Sequence, residues 1–383
     1  HSHFLYPTGG TRFIFEVATR LKKYHDITVC VERTSGEWLS KYKAAHIPLH
    51  SISSHTSINS LYWLLFPFYL HRELNILRKY VSENDVIITS MFPMHYLASF
   101  FPKPLFYFCF EPFAFFYDKQ LQKSLPFEKR FGSKLLGSIY QHFDKKGVSH
   151  AQKIITLNHS VSKWIEKIYH RKADGFTYLG VDTQHFSRRN ISKPSKWQGR
   201  QIIFHSTDFT AMKGTHFLIK SLAHIVKAVP NVKLIISNTV FDEKGMDSYK
   251  HLINVYKLER FIEFVGNVGY EELPNYYSMA DVACFTADPE SIGTTASLFV
   301  LEAMACEVPV VRSIGCDEEV IHGESGYLAD PRNAYEYAKY VVKLLKQKKL
   351  QQHFGSNARK RVSNFYQWDK VNEVFLKILS SLE

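Results

Sequence analysis

The chain has 383 residues, which is too long for one ordinary hydrophobic core and indicates about two domains. Its composition, 45% hydrophobic and 22% charged, is that of well-packed globular domains and excludes a largely disordered protein. A formal net charge of +12 calls for an acidic partner, such as nucleic acid, anionic lipid or a phosphorylated substrate. The chain has no RNP1 or zinc-finger motif, so we expect no nucleic-acid partner.

Two further features bear on the compartment. Five scattered cysteines without CxxC spacing are typical of small buried residues in a reducing environment, which predicts a cytoplasmic protein. We also expect no signal peptide, because the given sequence has no pattern of that kind. The longest apolar run, residues 61–70, is shorter than the roughly 18 to 20 residues that cross a bilayer, and it contains Pro67. Such a run can lie on a membrane surface but cannot span the bilayer.

In chain order, Gly9 and Gly10 open a helical pattern that no strand pattern precedes, so we expect that a first strand is missing. Short β-rich runs then alternate with amphipathic helical patterns along almost the whole chain. Strands are predicted at 27–32, 47–52, 85–90, 105–110 and 153–158, and again at 201–206, 232–237, 261–266, 281–286 and 308–313. This alternation is typical of parallel sheets with right-handed crossovers, so the predicted fold class is α/β with two doubly wound, Rossmann-like domains.

The border between the domains is predicted from a lapse in periodicity. Between Tyr178 and Arg200 the sequence becomes polar, basic and Pro-containing, as in a linker. We therefore place a Rossmann-like domain at 1–180, a linker at 181–200, a second Rossmann-like domain at 201–365 and a C-terminal helix at 366–383.

The loops that follow strands contain the candidate site, because ligands of open α/β sheets bind beyond the carboxyl ends of the strands. Gly9 and Gly10 leave backbone amides free for an anion, although an ordinary tight turn is the alternative. Lys213 and Gly214 follow strand 201–206 and combine an ammonium group with free amides at the start of a helix. That combination suits a phosphate, and a solvated loop lysine is the alternative.

Glu302 is a carboxylate inside an apolar helical run, LFVLEAMA. An unpaired buried carboxylate costs several kcal/mol or becomes neutral, so this side chain either pairs with a basic residue or faces a ligand. In the loop before the helix, the free amides around Gly293 to Ala296 suit a pyrophosphate or a sugar hydroxyl. The predicted donor-binding residues of this loop are Ile292, Gly293, Thr294 and Thr295. Glu302 itself suits the two adjacent hydroxyls of a ribose.

A segment of the second half resembles a known family. SLFVLEAMACEVPVV, followed by SIGCDEEVIHGESGYLADP, is similar to the donor-site signature of GT-B glycosyltransferases of the family-4 type. Other segments of the chain also occur in the order that this family has. From the N-terminus these are a Gly-Gly loop, YLGVDTQHF, the KG pair and a Trp-bearing terminal helix. The resemblance implies that the two domains face each other across a cleft, and that the C-terminal helix crosses back to the first domain.

The chain departs from the family pattern at the first acidic position of the donor site. Eight positions before Glu302, where the family usually has a glutamate, this chain has Thr294. The nearest acid is Glu290, four residues earlier, before what looks like a small insertion. Either Glu290 reaches the donor sugar from a longer loop, or Thr294 and neighbouring amides replace it; we favour Glu290.

Two other positions depart from the family pattern. Asp208 stands where many relatives have an arginine that pairs with the diphosphate, so Lys213 must contribute more of the positive charge. Glu111 follows strand 105–110, where relatives often supply a histidine. Glu111 either accepts a hydrogen bond from a substrate hydroxyl or caps the core.

The resemblance implies a retaining transferase that moves a sugar from a UDP- or GDP-sugar to a glycan or lipid-linked acceptor, in synthesis of cell-surface polysaccharide or glycoconjugates. Lys213, Glu290 and Glu111 are the candidate catalytic residues, and Asp208 and Gly214 lie among the predicted donor-binding ones. No metal and no cofactor is expected, because the chain has no DxD motif. A catalytically silent GT-B-like module that binds a nucleotide or a partner is the alternative. A dinucleotide-dependent oxidoreductase would need GxGxxG and an acid about 20 positions on, and neither is present.

Two stretches of the first half, 57–81 and 116–147, interleave aromatic residues and leucines with lysine and arginine. This composition is typical of helices that lie on anionic lipid, although packed helices with a solvated basic face are the alternative. We therefore predict a cytoplasmic enzyme that is peripheral on the inner face of the membrane and binds its acceptor mainly through the first domain.

Overall fold

The structure is a computed structural model that describes residues 1–6, 8–53, 60–124, 127–238, 243–292, 296–315 and 318–382. The chain divides into two compact units. The first unit consists of His1–Tyr178 and Asp369–Glu383, and the second of Leu179–Trp368. Both units are α/β with parallel strands, which confirms the predicted fold class.

The first unit alternates short strands with helices, and all of its paired strands are parallel, in the orders β1-β3, β2-β4 and β5-β6-β7-β8. The five strands predicted in this half are confirmed as β2, β4, β5, β6 and β7. The elements are β1 (His3–Phe4), α1 (Gly9–Leu21), β2 (Val29–Val31), β3 (Arg33–Thr34), α2 (Gly36–Ala44), β4 (Leu49–Ser51), α3 (Ser60–Val81), β5 (Ile87–Thr89), α4 (Met94–Ala98), β6 (Leu105–Cys109), α5 (Ala114–Tyr117), α6 (Lys119–Ser124), α7 (Phe127–Ser149), β7 (Lys153–Thr156), α8 (His159–Tyr169) and β8 (Gly175–Phe176).

A strand does precede the glycine pair, so the expectation that none is present was wrong. β1 is two residues long and pairs in parallel with β3. Two residues, one of them a polar histidine, are too few for alternation to be read from the sequence. Helix α1 starts at Gly9 and is capped by Thr8, whose side chain accepts a hydrogen bond from the Thr11 amide.

The C-terminal helix α15 (Trp368–Leu379) contributes to the core of the first unit. Phe375 is 2% exposed, and its ring centre lies 5.3 Å from that of Phe108 on β6. Phe13 of α1 stacks on Phe108 with 4.9 Å between the ring centres, and its ring centre lies 6.2 Å from that of Phe375. Aromatic pairs at these separations add to the stability that their burial provides. Among the described residues, no helix is both long and apolar enough to cross a bilayer.

Two carboxyl groups are buried near each other in the first unit, those of Glu32 after β2 and Glu73 on α3. Burial, and next the negative charge of Glu32, raise the pKa of Glu73 to about 8. Glu73 is therefore protonated in the folded protein at neutral pH. The unfolded chain would release that proton at any pH well above 4.5.

This difference predicts that the free energy of unfolding falls as the pH rises from 4.5 to about 8 and levels off above that. We expect Glu73→Gln, which cannot ionise, to remove most of this slope. Its Tm should match that of the wild type at acidic pH and exceed it at alkaline pH. Thermal unfolding followed by circular dichroism across this range is the measurement. Glu37→Gln, at an exposed position on α2, is the control and should keep the wild-type slope; an unchanged slope in Glu73→Gln would contradict the prediction.

The second unit has one six-stranded parallel sheet in the order β11-β10-β9-β12-β13-β14. Its five predicted strands are confirmed as β9 to β13, while β14 was not predicted. The elements are β9 (Gln201–Thr207), α9 (Thr215–Ala228), β10 (Val232–Asn238), α10 (Glu243–Tyr256), β11 (Ile262–Gly266), α11 (Leu273–Met279), β12 (Val282–Phe285), α12 (Leu298–Ala305), β13 (Val310–Ser313), β14 (Gly326–Ala329), α13 (Ala334–Lys346) and α14 (Lys348–Phe365).

The strand order positions the candidate site. From β9 the chain builds outward through β10 to β11, then returns to the other side of β9 and builds outward through β12, β13 and β14. The order therefore reverses between β9 and β12. In open α/β sheets this reversal leaves a crevice at the carboxyl ends of the two strands, and ligands bind there. We call the carboxyl ends of β9 and β12, with the segments that follow them, the switch point.

Candidate functional site

The two segments of the switch point are joined by hydrogen bonds. The turn after β9 contains a 3-10 helix, Ala211–Lys213, and the segment after β12 runs beside it. The Asp288 amide donates to the Met212 carbonyl at 3.0 Å, and the Thr286 hydroxyl donates to the Lys213 carbonyl at 3.5 Å. The segments after β9 and β12, more than 70 positions apart in sequence, therefore lie side by side and form one surface of the switch point.

Gly214 is required for this close approach. Its φ is +63°, in the left-handed region that favours glycine. A Cβ atom at this position would lie 1.8 Å from the Thr286 carbonyl oxygen, which is far inside van der Waals contact. Any side chain at position 214 would push the two segments apart.

Lys213 precedes Gly214 and is partly buried at the start of α9. Its ammonium group makes no ion pair or hydrogen bond within the described part of the chain. The backbone amides of the first turn of α9 lie next to it, and the N-terminal end of a helix favours negative charge. The predicted combination of ammonium, free amides and helix start is therefore present.

Beneath this turn lies a buried histidine that sequence analysis did not single out. His205 is fully buried on β9; its Nδ1 donates to the Cys284 carbonyl at 2.9 Å, and its Nε2 lies 3.0 Å from the Thr215 hydroxyl. Burial lowers the pKa of His205 to about 4, so the imidazole is neutral at physiological pH. It joins β9 to β12 below the switch point. A histidine within the apolar run IIFHST was the available signal.

Asp208 lies in the same turn, but its carboxylate has a local role. Oδ1 accepts hydrogen bonds from the Thr210 amide at 2.9 Å and from the Thr210 hydroxyl at 2.7 Å. This is the geometry by which aspartate stabilises a turn. The structure thus gives Asp208 a part in shaping the turn that holds Lys213.

Glu290 lies after β12 on an exposed part of the loop. Its carboxylate pairs with Arg332 at 2.7 Å, and Arg332 also binds Asp330 at 2.8 Å. The Glu290 side chain is 58% exposed, so the pair is weak and a ligand can compete for either partner. Ile292, two residues on, is buried. The other predicted residues of this loop, Gly293, Thr294 and Thr295, lie outside the described residues.

Glu302 is 4% exposed on α12. The Tyr277 hydroxyl, from α11, donates to its Oε2 at 2.8 Å. Tyr277 was not predicted, and its position in NYYSMADV gave no pattern that distinguishes it from a core aromatic. The hydrogen bond fixes one carboxylate oxygen of Glu302 and so orients the group.

A buried pair of an acid and a base lies at a second glutamate, Glu319. Glu319 and Arg312 form an ion pair of 3.0 Å with side chains 5% and 1% exposed. The other carboxylate oxygen of Glu319 accepts from the Ser297 amide, at the start of α12, at 3.3 Å. Burial raises the pKa of Glu319, whereas the charge of Arg312 opposes that shift. This pair holds the start of α12 against the end of β13.

The candidate residues of the first unit are Gly9, Gly10 and Glu111. The two glycines form the start of α1, and a Cβ on Gly10 would meet no atom within 4 Å. Close packing therefore does not demand glycine at position 10. Glu111 is half-buried, two residues after the end of β6.

A buried polar cluster, also missed from sequence, anchors the segment after Glu111. Asp144 of α7 is fully buried and accepts hydrogen bonds from the hydroxyls of Tyr117 at 2.7 Å and Tyr169 at 2.8 Å, and from His95 Nε2 at 2.8 Å. The cluster ties α4, α5 and α8 to α7. Within the described ranges, no group of three or more His, Cys, Asp or Glu side chains could hold a metal ion.

Comparisons with known proteins agree with this fold. Residues 187–361 match the family described as Glycosyl transferases group 1. The N-acetyl-alpha-D-glucosaminyl L-malate synthase of Bacillus anthracis is 25% identical over 232 residues, 59% of this chain and 58% of that protein. The capsular polysaccharide biosynthesis glycosyltransferase CapM of Staphylococcus aureus is 26% identical over 182 residues, 45% of this chain and 44% of CapM. The chain spans about half the length of the curated relatives it matches.

Solved structures resemble the whole chain. Sucrose-phosphate synthase from Thermosynechococcus elongatus gives a TM-score of 0.78 at 16% identity, covering 100% of this chain and 95% of that one. Anabaena HepE in complex with UDP-glucose gives 0.74 at 18% identity, covering 100% of both chains. The fold is therefore the GT-B fold. The family match lies within the second unit and, together with this fold, supports a glycosyltransferase that is similar to family 4.

Proposed function

We propose that this protein is a retaining glycosyltransferase that moves a sugar from a UDP- or GDP-sugar to a glycan or lipid-linked acceptor, in synthesis of cell-surface polysaccharide or glycoconjugates. The observation that carries the proposal is the uncommitted Lys213 ammonium at the switch point, beside the first amides of α9. The family match over 187–361 supports it. Two similar proteins, a capsular polysaccharide glycosyltransferase and HepE in complex with UDP-glucose, indicate the substrate class.

In the proposed reaction, the bond from the sugar's anomeric carbon to the diphosphate breaks while an acceptor oxygen bonds to the same face of that carbon. The leaving diphosphate gains negative charge, which Lys213 and the first amides of α9 stabilise most in the transition state. The resemblance implies that the acceptor's proton passes to the donor's own phosphate. We propose that positive side chains and helix ends carry this charge without a metal or another cofactor.

The remaining candidate residues have supporting roles in this proposal. Glu302, oriented by Tyr277, accepts hydrogen bonds from the ribose hydroxyls. Glu290 exchanges its exposed pair with Arg332 for a hydroxyl of the donor sugar. In the first unit, Glu111 accepts from a substrate hydroxyl, and the amides of Gly9 and Gly10 bind an anionic group.

The direct test is a panel of UDP- and GDP-sugars, scored both by thermal shift and by release of UDP or GDP. A donor present at a hundredfold excess over its Kd should stabilise the folded protein by about 2.7 kcal/mol. We expect one nucleotide class to raise the Tm and its diphosphate to be released on turnover. Binding without release would indicate a silent module, and the absence of both would contradict the proposal.

Glu302→Gln should weaken donor binding by about ten- to a hundredfold, because two hydrogen bonds to a charged acceptor are each worth about 1.5–3 kcal/mol and the amide keeps only part of that. The variant should still fold, since its side-chain oxygen can accept from Tyr277. Titration calorimetry with the best donor of the panel is the measurement. Tyr277→Phe should give a smaller loss, because it removes the hydrogen bond that orients the carboxylate but keeps the carboxylate itself. Unchanged affinity in Glu302→Gln would exclude the ribose role.

We further propose that the enzyme is cytoplasmic and lies on the inner face of the membrane through its first unit. Phe68 of α3 is 76% exposed, with exposed Arg72 one turn on, and Ile139 of α7 is 51% exposed on the helix that also has exposed Lys145. Exposed apolar groups beside basic ones suit anionic lipid.

The membrane proposal is tested by sedimentation of the full chain with phosphatidylglycerol-containing vesicles at low salt. Phe68→Ser should reduce the bound fraction. Tyr24→Ser, which alters a residue 63% exposed elsewhere on the first unit, should not. No binding of the wild type at low salt would refute the proposal.

A further inference from the structure

At the switch point, the acidic side chains of Asp208 and Glu290 make hydrogen bonds or ion pairs with other protein groups. Two basic side chains there make neither within the described residues. Asp208 accepts hydrogen bonds from its own turn, and Glu290 pairs with Arg332. By contrast, the Lys213 ammonium and both ring nitrogens of His216 make no hydrogen bond or ion pair with residues that the structure describes. Because the basic groups have no partner among the described residues and the acidic groups do, the crevice favours a negatively charged ligand.

His216 occupies the second position of α9, three residues after Lys213. It is half-buried. The charged groups that act on its imidazole are Lys220, one turn further along α9, and Asp288, from the segment after β12. His216 thus belongs to the region where the segments after β9 and β12 meet. Burial, and then the charge of Lys220, lower the pKa of His216 from its usual value of 6.5, while Asp288 opposes them. Without a ligand, the imidazole is therefore neutral at physiological pH.

The single positive charge of Lys213 does not balance the negative charge of the ligand proposed for this site. The diphosphate of a sugar nucleotide has two negative charges, and Asp208 adds another near Lys213, since the fields of both residues reach His205. A half-buried imidazole with open nitrogens gains a proton when an anion approaches, because the anion favours its charged form. A protonated imidazole then donates a charge-assisted hydrogen bond.

We propose that His216 is a second cationic ligand of the donor's diphosphate, and that it holds its extra proton only while the donor is bound. The inference rests on the proposed function. It makes donor affinity depend on pH: binding is strongest where His216 can be protonated and weakens as the pH rises. The pyrophosphate of a sugar nucleotide is doubly esterified and keeps its charge through the neutral range. A change in affinity there must therefore come from the protein.

The test is titration calorimetry of the full chain with UDP-glucose, UDP-N-acetylglucosamine and GDP-mannose, at a mildly acidic and a mildly alkaline pH. We expect the wild type to bind about tenfold more weakly at the higher pH, the size of one charge-assisted hydrogen bond. Binding in buffers of different ionisation enthalpy should show proton uptake. His216→Gln should bind weakly at both pH values, without proton uptake. His216→Arg should bind tightly at both.

The matched control is His224→Gln, an exposed histidine two turns further along the same helix whose ring meets Tyr335. It should keep the wild-type pH dependence. If His216→Gln keeps that dependence as well, or if the wild type has none, the role of His216 is refuted while the proposed function stands. If none of the three sugar nucleotides binds at either pH, the proposed function and this inference fail together.

Discussion

Lys213→Ala should lower the turnover of a nucleotide sugar by a factor of about 10²–10³, the usual effect of removing one group that stabilises transition-state charge. The loss should be concentrated in kcat, because the charge on the diphosphate grows as the glycosidic bond breaks. Measurement of UDP or GDP release under saturating donor separates kcat from KM. Folding should be unaffected, because the ammonium makes no ion pair within the described residues.

Lys227→Ala is the control for this prediction, since that lysine is exposed in the last turn of the same helix. It should leave kcat, KM and Tm unchanged. A Lys213→Ala enzyme with a kcat within a few-fold of the wild type would show that the diphosphate binds elsewhere.

Arg312→Met should destabilise the protein by about 3–5 kcal/mol, because it leaves the Glu319 carboxylate buried without its partner. Urea unfolding followed by fluorescence measures this loss. The double variant Arg312→Met with Glu319→Gln should recover most of it, since a neutral amide still accepts from the Ser297 amide and no buried charge remains.

The control for the buried pair is an exposed one. Lys41→Met breaks the pair with Glu37, whose side chains are 45% and 55% exposed, and should cost no more than about 1 kcal/mol. If the double variant is as unstable as Arg312→Met alone, packing of the arginine, and not its charge, is what stabilises the start of α12.

Elements with a clear local pattern were predictable from sequence. All ten predicted strands are present, because each is an apolar run bounded by polar turns. β1, β3 and β8 escaped prediction because two residues show no periodicity. β14 escaped because it begins with a glycine and follows the polar stretch HGES, which is typical of a loop. The turn with Lys213 and Gly214 was also predictable, since the need for glycine before a helix can be read locally.

Features that depend on tertiary contact were not predictable. The residue type of a buried acid can be read in a helix, but its partner cannot: sequence analysis expected either a base or a ligand for Glu302, and the structure gives a tyrosine hydroxyl. The acid paired with a base is Glu319, which lies in a loop with no apolar pattern around it. Likewise, nothing in the sequence indicates that Asp208 is occupied by its own turn.

The close approach of Gly214 to the Thr286 carbonyl determines which positions of this site can accept substitutions. At that position there is no room for even one extra carbon atom, so neither natural variation nor directed evolution can adjust donor preference there. New specificity has to come from residues that neighbour this fixed point, such as Met212 after β9 and Asp288 after β12. A mutagenesis library aimed at a different sugar nucleotide should therefore leave 214 untouched and sample the described residues of those two segments.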